Sequence, residues 1–330
     1  MKKNILLITT CLITHLATAQ VLLSEDFNSY PAGHLNTDYT GTAAGQGGWV
    51  TERHGSVTAM VTPETGKGNV VSITTSNNLN EGITIQQNMG VINALWNNRT
   101  TGNNVLKYEY EVYGIGWFNT VSGISYTTTS NGAIIDMRLY SSGNSYIETL
   151  QLGAIGGSYK RLKNYTSTTF PHNLWLKVEL YVDYDSNKFY TYLPTLNLFS
   201  AGIKSSSIAD PHQIYLFTNA LKPGTVVKYD NIKLTALPSV PTYILSANEI
   251  VSAKFNMYPN PATNVVNITN SENMLVEQVT IYDSIGKQLN TQSFNNQTEI
   301  QLNVENLASG TYMLHIQTNA GLAVKKLVKK

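Results

Sequence analysis

The sequence predicts an all-β protein, a large two-sheet jelly-roll sandwich followed by a small sandwich. Three observations carry this reading. Charged residues make up 13% of the 330, about half of the usual ~25%, and Asn, Thr, Ser, Gly and 20 Tyr stand in their place. Tyr and Thr fit pleated surfaces, while Asn and Gly fit turns. Short alternating apolar runs recur along the chain, punctuated by turn residues, and no segment carries a long helical period. Hydrophobic residues reach 42%, enough for packed cores.

The elements begin with a leader. Lys2 and Lys3 precede an apolar run from Ile5 to Leu16, and Ala17-Thr18-Ala19 offers small residues before Gln20. This order predicts a signal peptide over residues 1–19 with cleavage between Ala19 and Gln20. The run is too short to span a bilayer, which takes about 20 residues. The single cysteine, Cys11, lies in the leader, so disulfide and thiolate chemistry is not expected of the mature chain. Loss of Lys2 and Lys3 leaves 20 basic against 21 acidic residues. A chain so near neutrality carries no electrostatic footprint for nucleic acid.

Residues 20–236 form the expected large domain. Strand signals start at Leu22–Phe27, Val57–Val61, Val70–Thr74 and Ile83–Gln86, and run on to Val226–Leu234. Tyr184-Asp-Ser-Asn-Lys188 has the chemistry of a hairpin turn. In the strand before it, Leu176, Val178, Leu180 and Val182 face in, and Trp175, Lys177, Glu179, Tyr181 and Asp183 face out. Lys107, Glu109, Glu111 and Tyr113 share a face of another strand, as do Ile134, Asp136, Arg138 and Tyr140. Residues 237–254 read as a linker, opened by Pro238 and Pro241. From residue 255 come Tyr258-Pro259-Asn260-Pro261 and further strand runs with Gly286 and Gly310 at turns. The chain ends on Lys325-Lys326-Leu-Val-Lys-Lys330. The expectation for residues 255–330 is a small sandwich.

These last residues carry a resemblance. Tyr258-Pro-Asn-Pro261, Ile281-Tyr-Asp-Ser-Ile-Gly-Lys287, Leu307-Ala-Ser-Gly-Thr-Tyr312 and the lysine-rich ending resemble the type A C-terminal sorting domain of the type IX secretion system. The resemblance implies an immunoglobulin-like sandwich in a Gram-negative bacterium of the Bacteroidota group. It further implies export through the periplasm, engagement of the type IX translocon, and removal of the domain by a sortase. The cargo is then released, or joined to lipopolysaccharide on the outer cell surface. The larger domain resembles the laminin G/concanavalin A-like jelly-roll superfamily. The carrying phrases are Ser24-Glu-Asp-Phe-Asn-Ser-Tyr-Pro-Ala-Gly33, Gly48-Trp-Val50, the hairpin from Trp175 to Tyr190, and Tyr229-Asp-Asn-Ile-Lys-Leu234.

For the large domain the favoured function is non-catalytic carbohydrate binding. Aromatic faces suit sugar C–H groups, and amide and charged side chains suit hydroxyls. The candidate ligand-binding residues are Tyr113, Trp117, Phe118, Arg138, Tyr140 and Tyr181. Asp26 and Asp230 are candidate ligands for a structural calcium ion if the first and last strands pair, since calcium takes oxygen donors. The alternatives are a polysaccharide-degrading enzyme, either glycoside hydrolase or lyase, and an adhesive or structural surface protein. An enzyme would need two suitably separated carboxylates, for which Glu109, Glu111, Glu179 and Asp183 are available. No catalytic residue is assigned.

Overall fold

The computed structural model describes residues 18–330 except 75–80, 88–89, 127–131, 152–158, 167, 205–206, 245–251, 271–272, 284–286 and 319–320. Most of the expected leader and Gly286 therefore lie outside the described residues. The first strands are β1 (Gln20–Glu25), β2 (Gly33–His34), β3 (Thr40–Ala44), β4 (Trp49–His54), β5 (Thr58–Glu64), β6 (Gly68–Thr74) and β7 (Glu81–Gln87). A short helix, α1 (Val91–Asn97), follows. Then come β8 (Val105–Ile115), β9 (Phe118–Ser125), β10 (Ala133–Ser141), β11 (Ser145–Gln151) and β12 (Tyr159–Tyr165). The large unit closes with β13 (Leu176–Asp183), β14 (Lys188–Leu193), β15 (Leu198–Ile203), β16 (Gln213–Ala220) and β17 (Val226–Leu237).

These strands form two antiparallel sheets. One runs β15-β14-β13-β8-β17-β6-β5-β2, with β1 also paired to β17; the other runs β12-β11-β10-β9-β16-β7-β4-β3. Their inner faces share one core that includes Phe27, Trp49, Tyr108, Tyr110, Ile135, Leu180 and Tyr229. Alternation decides which side chains enter it. Leu176, Val178, Leu180 and Val182 are all buried, as a half-buried strand requires. The Tyr229 hydroxyl bridges the layers through Thr218 Oγ1 at 3.0 Å, so the tyrosine-rich core gives that phenol a partner. The result is a jelly-roll sandwich.

Strand β17 serves two neighbours in succession. Val226–Tyr229 pairs with β6; after a bulge between Asp230 and Lys233, the strand pairs with β1. Asn231 in the bulge has a φ of 51°, a conformation Asn tolerates better than most residues.

The outer face of β13 departs from its expected exposure. Glu179 and Tyr181 are buried, because the segment after β17 folds back over them. Tyr243 Oη lies 2.6 Å from Tyr181 Oη and donates to Glu179 Oε2 at 3.0 Å. Val240 and Ile244 join Val105, Tyr181, Tyr190, Phe199 and Ala201 in a second apolar cluster, with Val324 against it. The apolar residues of the expected linker thus cover a patch of the nine-stranded sheet.

The C-terminal strands are β18 (Phe255–Tyr258), β19 (Val265–Asn270), β20 (Val276–Tyr282), β21 (Gln288–Gln297), β22 (Ile300–Asn303), β23 (Gly310–Thr318) and β24 (Gly321–Lys329). They make a three-stranded sheet, β18-β19-β22, and a four-stranded sheet, β21-β20-β23-β24. Both sheets enclose a separate core that includes Phe255, Val266, Ile281, Leu302, Leu314 and Leu327. The small sandwich rests against the edge of the large one. There Lys160 Nζ donates to Gln317 Oε1 at 2.8 Å, and burial lowers the Lys160 pKa to about 8.

Candidate functional site

The outer face of the eight-stranded sheet brings together polar and aromatic groups from distant parts of the chain. The strand register sets them in rows. In one row Tyr146 faces Tyr140, Tyr140 faces Asn119, and Asn119 faces Asn219. The row continues through Gly82 to His54. The next runs from Arg161 through Glu148, Arg138, Val121, Phe217 and Thr84 to Glu52. A third places Asp136 beside Gly123 and Gly123 beside Tyr215.

At one end of the face Tyr140 and Tyr146 stack, with centroids 4.7 Å apart and planes 11° from parallel. The Arg161 guanidinium sits 4.0 Å from the Tyr146 centroid, and that of Arg138 sits 4.2 Å from the Tyr159 centroid. Glu148 holds both arginines, with Oε1 at 3.2 Å from Arg138 Nη1 and Oε2 at 3.6 Å from Arg161 Nη2. At the centre Asp136 is buried, and its Oδ2 accepts from Tyr215 Oη at 2.7 Å and Tyr159 Oη at 3.0 Å. Burial pushes its pKa up to about 6, against the pull of those two hydroxyls and Arg138. A side chain at Gly123 would overlap the backbone and Cβ of Asp136, so glycine there lets the carboxylate sit in the sheet. Toward the other end lies a cleft of about 260 Å³ lined by Glu52, His54, Thr84, Phe217 and Asn219, among others.

Four buried polar atoms on this face have no hydrogen-bond partner among the described residues: Asn119 Oδ1, Asn219 Oδ1, Arg138 Nε and Asp136 Oδ1. Buried polar atoms are nearly always paired, and leaving one unpaired costs about 1–3 kcal/mol. Two of the four, on Asn119 and Asn219, are cross-strand neighbours in the row of the tyrosine stack. The half-buried Asn119 and Asn219 side chains thus stand in the same row as a flat aromatic surface.

The six candidate ligand residues separate in space. Arg138 and Tyr140 lie on this face. Tyr113 lies on the outer face of the other sheet, beside Trp175 at a centroid distance of 5.5 Å, with Lys228 Nζ 5.1 Å from its ring. Trp117 is exposed in the turn before β9, with Lys222 Nζ 3.2 Å from its ring centroid. Phe118 and Tyr181 must be corrected. Phe118 points into the main core at 2% exposure, and Tyr181 is fully covered by the 240–244 segment. Neither offers a ring face to solvent. Asn119, Asn219, Tyr146, Tyr159 and Tyr215 escaped the sequence reading, because only the cross-strand register gathers them; the single usable signal was the outward parity of Tyr146 in its own run.

The outer face of the nine-stranded sheet is a lattice of paired charges. Glu179 faces Glu109 and Glu111 faces Asp230 across strands. Lys107 and Lys177 bridge the first pair, and Lys67 bridges the second. Burial raises Asp230 to about 6. Burial acts in the same direction on Glu111, but bonds from Asn231 and Lys67 outweigh it and lower its pKa. A cleft of about 350 Å³ adjoins Glu25, Glu109, Glu111, Lys177 and Asn231.

The first and last strands of the large unit do pair, through β1 and β17. Asp26 accepts from the Asn28 amide at 3.0 Å, while Asp230 is buried with Lys67 Nζ 3.6 Å away. No group of three metal-ligating acids or histidines occurs among the described residues.

In the small sandwich the proline-flanked asparagine is a clamp. Both X–Pro bonds of Tyr258-Pro259-Asn260-Pro261 are cis. Asn260 Nδ2 donates to the Lys326 carbonyl at 2.9 Å, and Asn260 Oδ1 accepts from the Val328 amide at 2.8 Å. The motif therefore fastens the final strand, on which Lys325 is half-buried and Lys326 exposed. Tyr312 is buried and donates to the Ala308 carbonyl at 2.8 Å; Gly310 starts its strand opposite Lys329. N260A should destabilise this sandwich by about 1–3 kcal/mol, two hydrogen bonds at roughly 0.5–1.5 each. Thermal unfolding of the full chain checks this; an unshifted transition for the small sandwich would rule the clamp out.

The chain is thus a two-sandwich β protein whose terminal module is locked by its own signature residues. Residues 256–330 match the family described as the secretion system C-terminal sorting domain, so the chain carries a type IX sorting domain. Such a domain engages the type IX translocon and directs secretion across the outer membrane to the cell surface. No helix among the described residues is long and apolar enough to cross a membrane. No curated protein matches the chain. Among solved structures the chain is similar to a sialidase at 10% identity and a TM-score of 0.38, covering 70% of this chain and 22% of that one. It is also similar to the carbohydrate recognition domain of Emp47p (9%, TM-score 0.39, covering 61% and 93%). Lectin II from Ulex europaeus is a further such structure (6%, TM-score 0.39, covering 65% and 99%). The jelly-roll description stands on the two sheets themselves.

Proposed function

We propose that residues 20–236 form a non-catalytic carbohydrate-binding domain that works outside the cell. In this reading residues 1–19 are a signal peptide cut after Ala19, residues 237–254 link the two sandwiches, and residues 255–330 are the export domain. A sortase then removes that domain, leaving the cargo released or attached to lipopolysaccharide. The observation that carries the binding assignment is the stacked Tyr140–Tyr146 pair with the half-buried Asn119 and Asn219 side chains in the same row. A sugar ring supplies both complements, C–H groups for the aromatic face and hydroxyls for the polar atoms.

Glycan-array screening of the purified protein tests this. Y140A should weaken any binding at least about tenfold, equivalent to ~1.4 kcal/mol. Y113A, on the outer face of the other sheet, should leave it unchanged. An array without signal, or equal loss from both variants, would sink the assignment.

The enzymatic reading has one observation in its favour: Glu111 and Asp230, adjacent carboxyls whose environments drive their pKa values apart, as acid and base partners require. Their shared Lys67 accounts for them structurally. Release of reducing ends or unsaturated products, lost in E111Q, would establish the enzyme instead.

A further inference from the structure

Resting on the carbohydrate-binding reading, we infer that the ligand is a linear, uncharged polysaccharide lying across the strands, engaged along its length rather than at a terminal sugar. The reasons are the layout and charge of the face. The row that holds the tyrosine stack continues through Asn119 and Asn219 to Gly82 and His54. It crosses six neighbouring strands, β11, β10, β9, β16, β7 and β4. At ~4.8 Å between strands, the row is about 24 Å long, several sugar units rather than one.

The row is built as a track. Its aromatic platform is at one end, the half-buried Asn119 and Asn219 side chains are in the middle, and Gly82 contributes no side chain to block the way toward His54. The neighbouring cleft of about 260 Å³ includes Asn219 and His54, so the middle of the row opens directly into it. A ligand held only at the tyrosine stack would leave the Asn219 side chain and this cleft unused.

The charge argument selects an uncharged chain. Of the cations near the row, Arg138 and Arg161 are paired with Glu148, and Arg53, which lines the cleft, donates to the Val57 carbonyl at 3.2 Å and lies over the Tyr39 ring. Asp136 and Glu52 lie on the same face. An anionic polymer would meet the Glu52 carboxylate while each of these guanidinium groups is already engaged, whereas uncharged hydroxyls suit the Asn119 and Asn219 amide side chains.

Calorimetric titration of the full chain with two ladders tests this. The neutral ladder is cello-, xylo-, manno- and chito-oligosaccharides of one to six units; the anionic ladder is oligogalacturonates of the same lengths. For at least one neutral series, affinity should climb at least about tenfold from one unit to four. H54A, at the far end of the row, should weaken the hexamer about threefold or more and leave the dimer unchanged, while Y140A weakens both. Length-independent affinity, or equal H54A effects on dimer and hexamer, would overturn the track while sparing carbohydrate binding. Stronger binding of the anionic ladder would overturn the uncharged class. Silence of both ladders and of the array would remove this inference together with the reading beneath it.

Discussion

Replacing Leu314 with Asp is expected to stop delivery of the protein to the cell surface while the large sandwich stays folded. Leu314 is fully buried at the centre of the small core. An unpaired carboxylate there has no partner, and burying one costs several kcal/mol. The small sandwich has little to offset that loss, since domains of this size are only marginally stable. The two cores are largely separate clusters, so unfolding of one need not unfold the other. Residues 256–330 are the sorting domain, and its unfolding should remove what the translocon grips. Fractionation of the producing bacterium, with surface protease treatment, measures this. The variant should accumulate inside the outer membrane, and L314M, which nearly conserves volume, should be exported normally. Surface display of the Asp variant at the wild-type level would contradict the argument.

The second large effect is on stability. D136N should gain stability over the parent as pH rises, by about 2 kcal/mol more at pH 7 than at pH 4. The folded-state pKa of Asp136 is about 6, and that of an unfolded aspartate is about 3.9. Below pH ~4 both states hold the proton, and the group favours neither. Between ~4 and ~6 the folded state alone keeps it, so stability falls as pH rises, at ~1.4 kcal/mol per unit. Above ~6 the loss is complete. Asn keeps an oxygen for Tyr159 and Tyr215 and has no such term. Glu179 contributes with the opposite sign. Burial opposes its ionisation, but Tyr181, Lys107 and Lys177 outweigh that and hold its pKa below the usual range. That stability is present above the unfolded value and lost as pH falls. The informative quantity is therefore the difference between parent and variant in urea unfolding at each pH. A difference that stays flat from pH 4 to 7 would show that Asp136 is not held in its neutral form.

Much of the architecture was legible because period and turn chemistry are local. The run from Leu176 to Val182 shows its inward set by alternation, and Tyr184–Lys188 shows its turn by composition. The sorting domain was legible for another reason: its motifs are short and contiguous. The candidate face was legible only in part. Parity identified Arg138 and Tyr140 as outward, but it says nothing about which strand lies beside β10. Phe118 illustrates the limit. It stands next to Trp117 and Asn119 in sequence, yet the start of β9 turns its ring inward and Asn119 outward. Tyr181 illustrates another. It has outward parity on its strand, but a segment some sixty residues later covers it.

By itself the sequence determined the class of fold, the order of the two sandwiches and the export route. Each rests on residues close together in the chain, where sterics and hydrophobic alternation act locally. The tertiary structure alone decided which strands are neighbours, and therefore that Tyr146, Tyr140, Asn119 and Asn219 form one row. It also decided that Asp230 lies beside Lys67, and that Val240 and Ile244 pack on a sheet rather than in water. These outcomes depend on register and burial between distant segments, which no local pattern encodes.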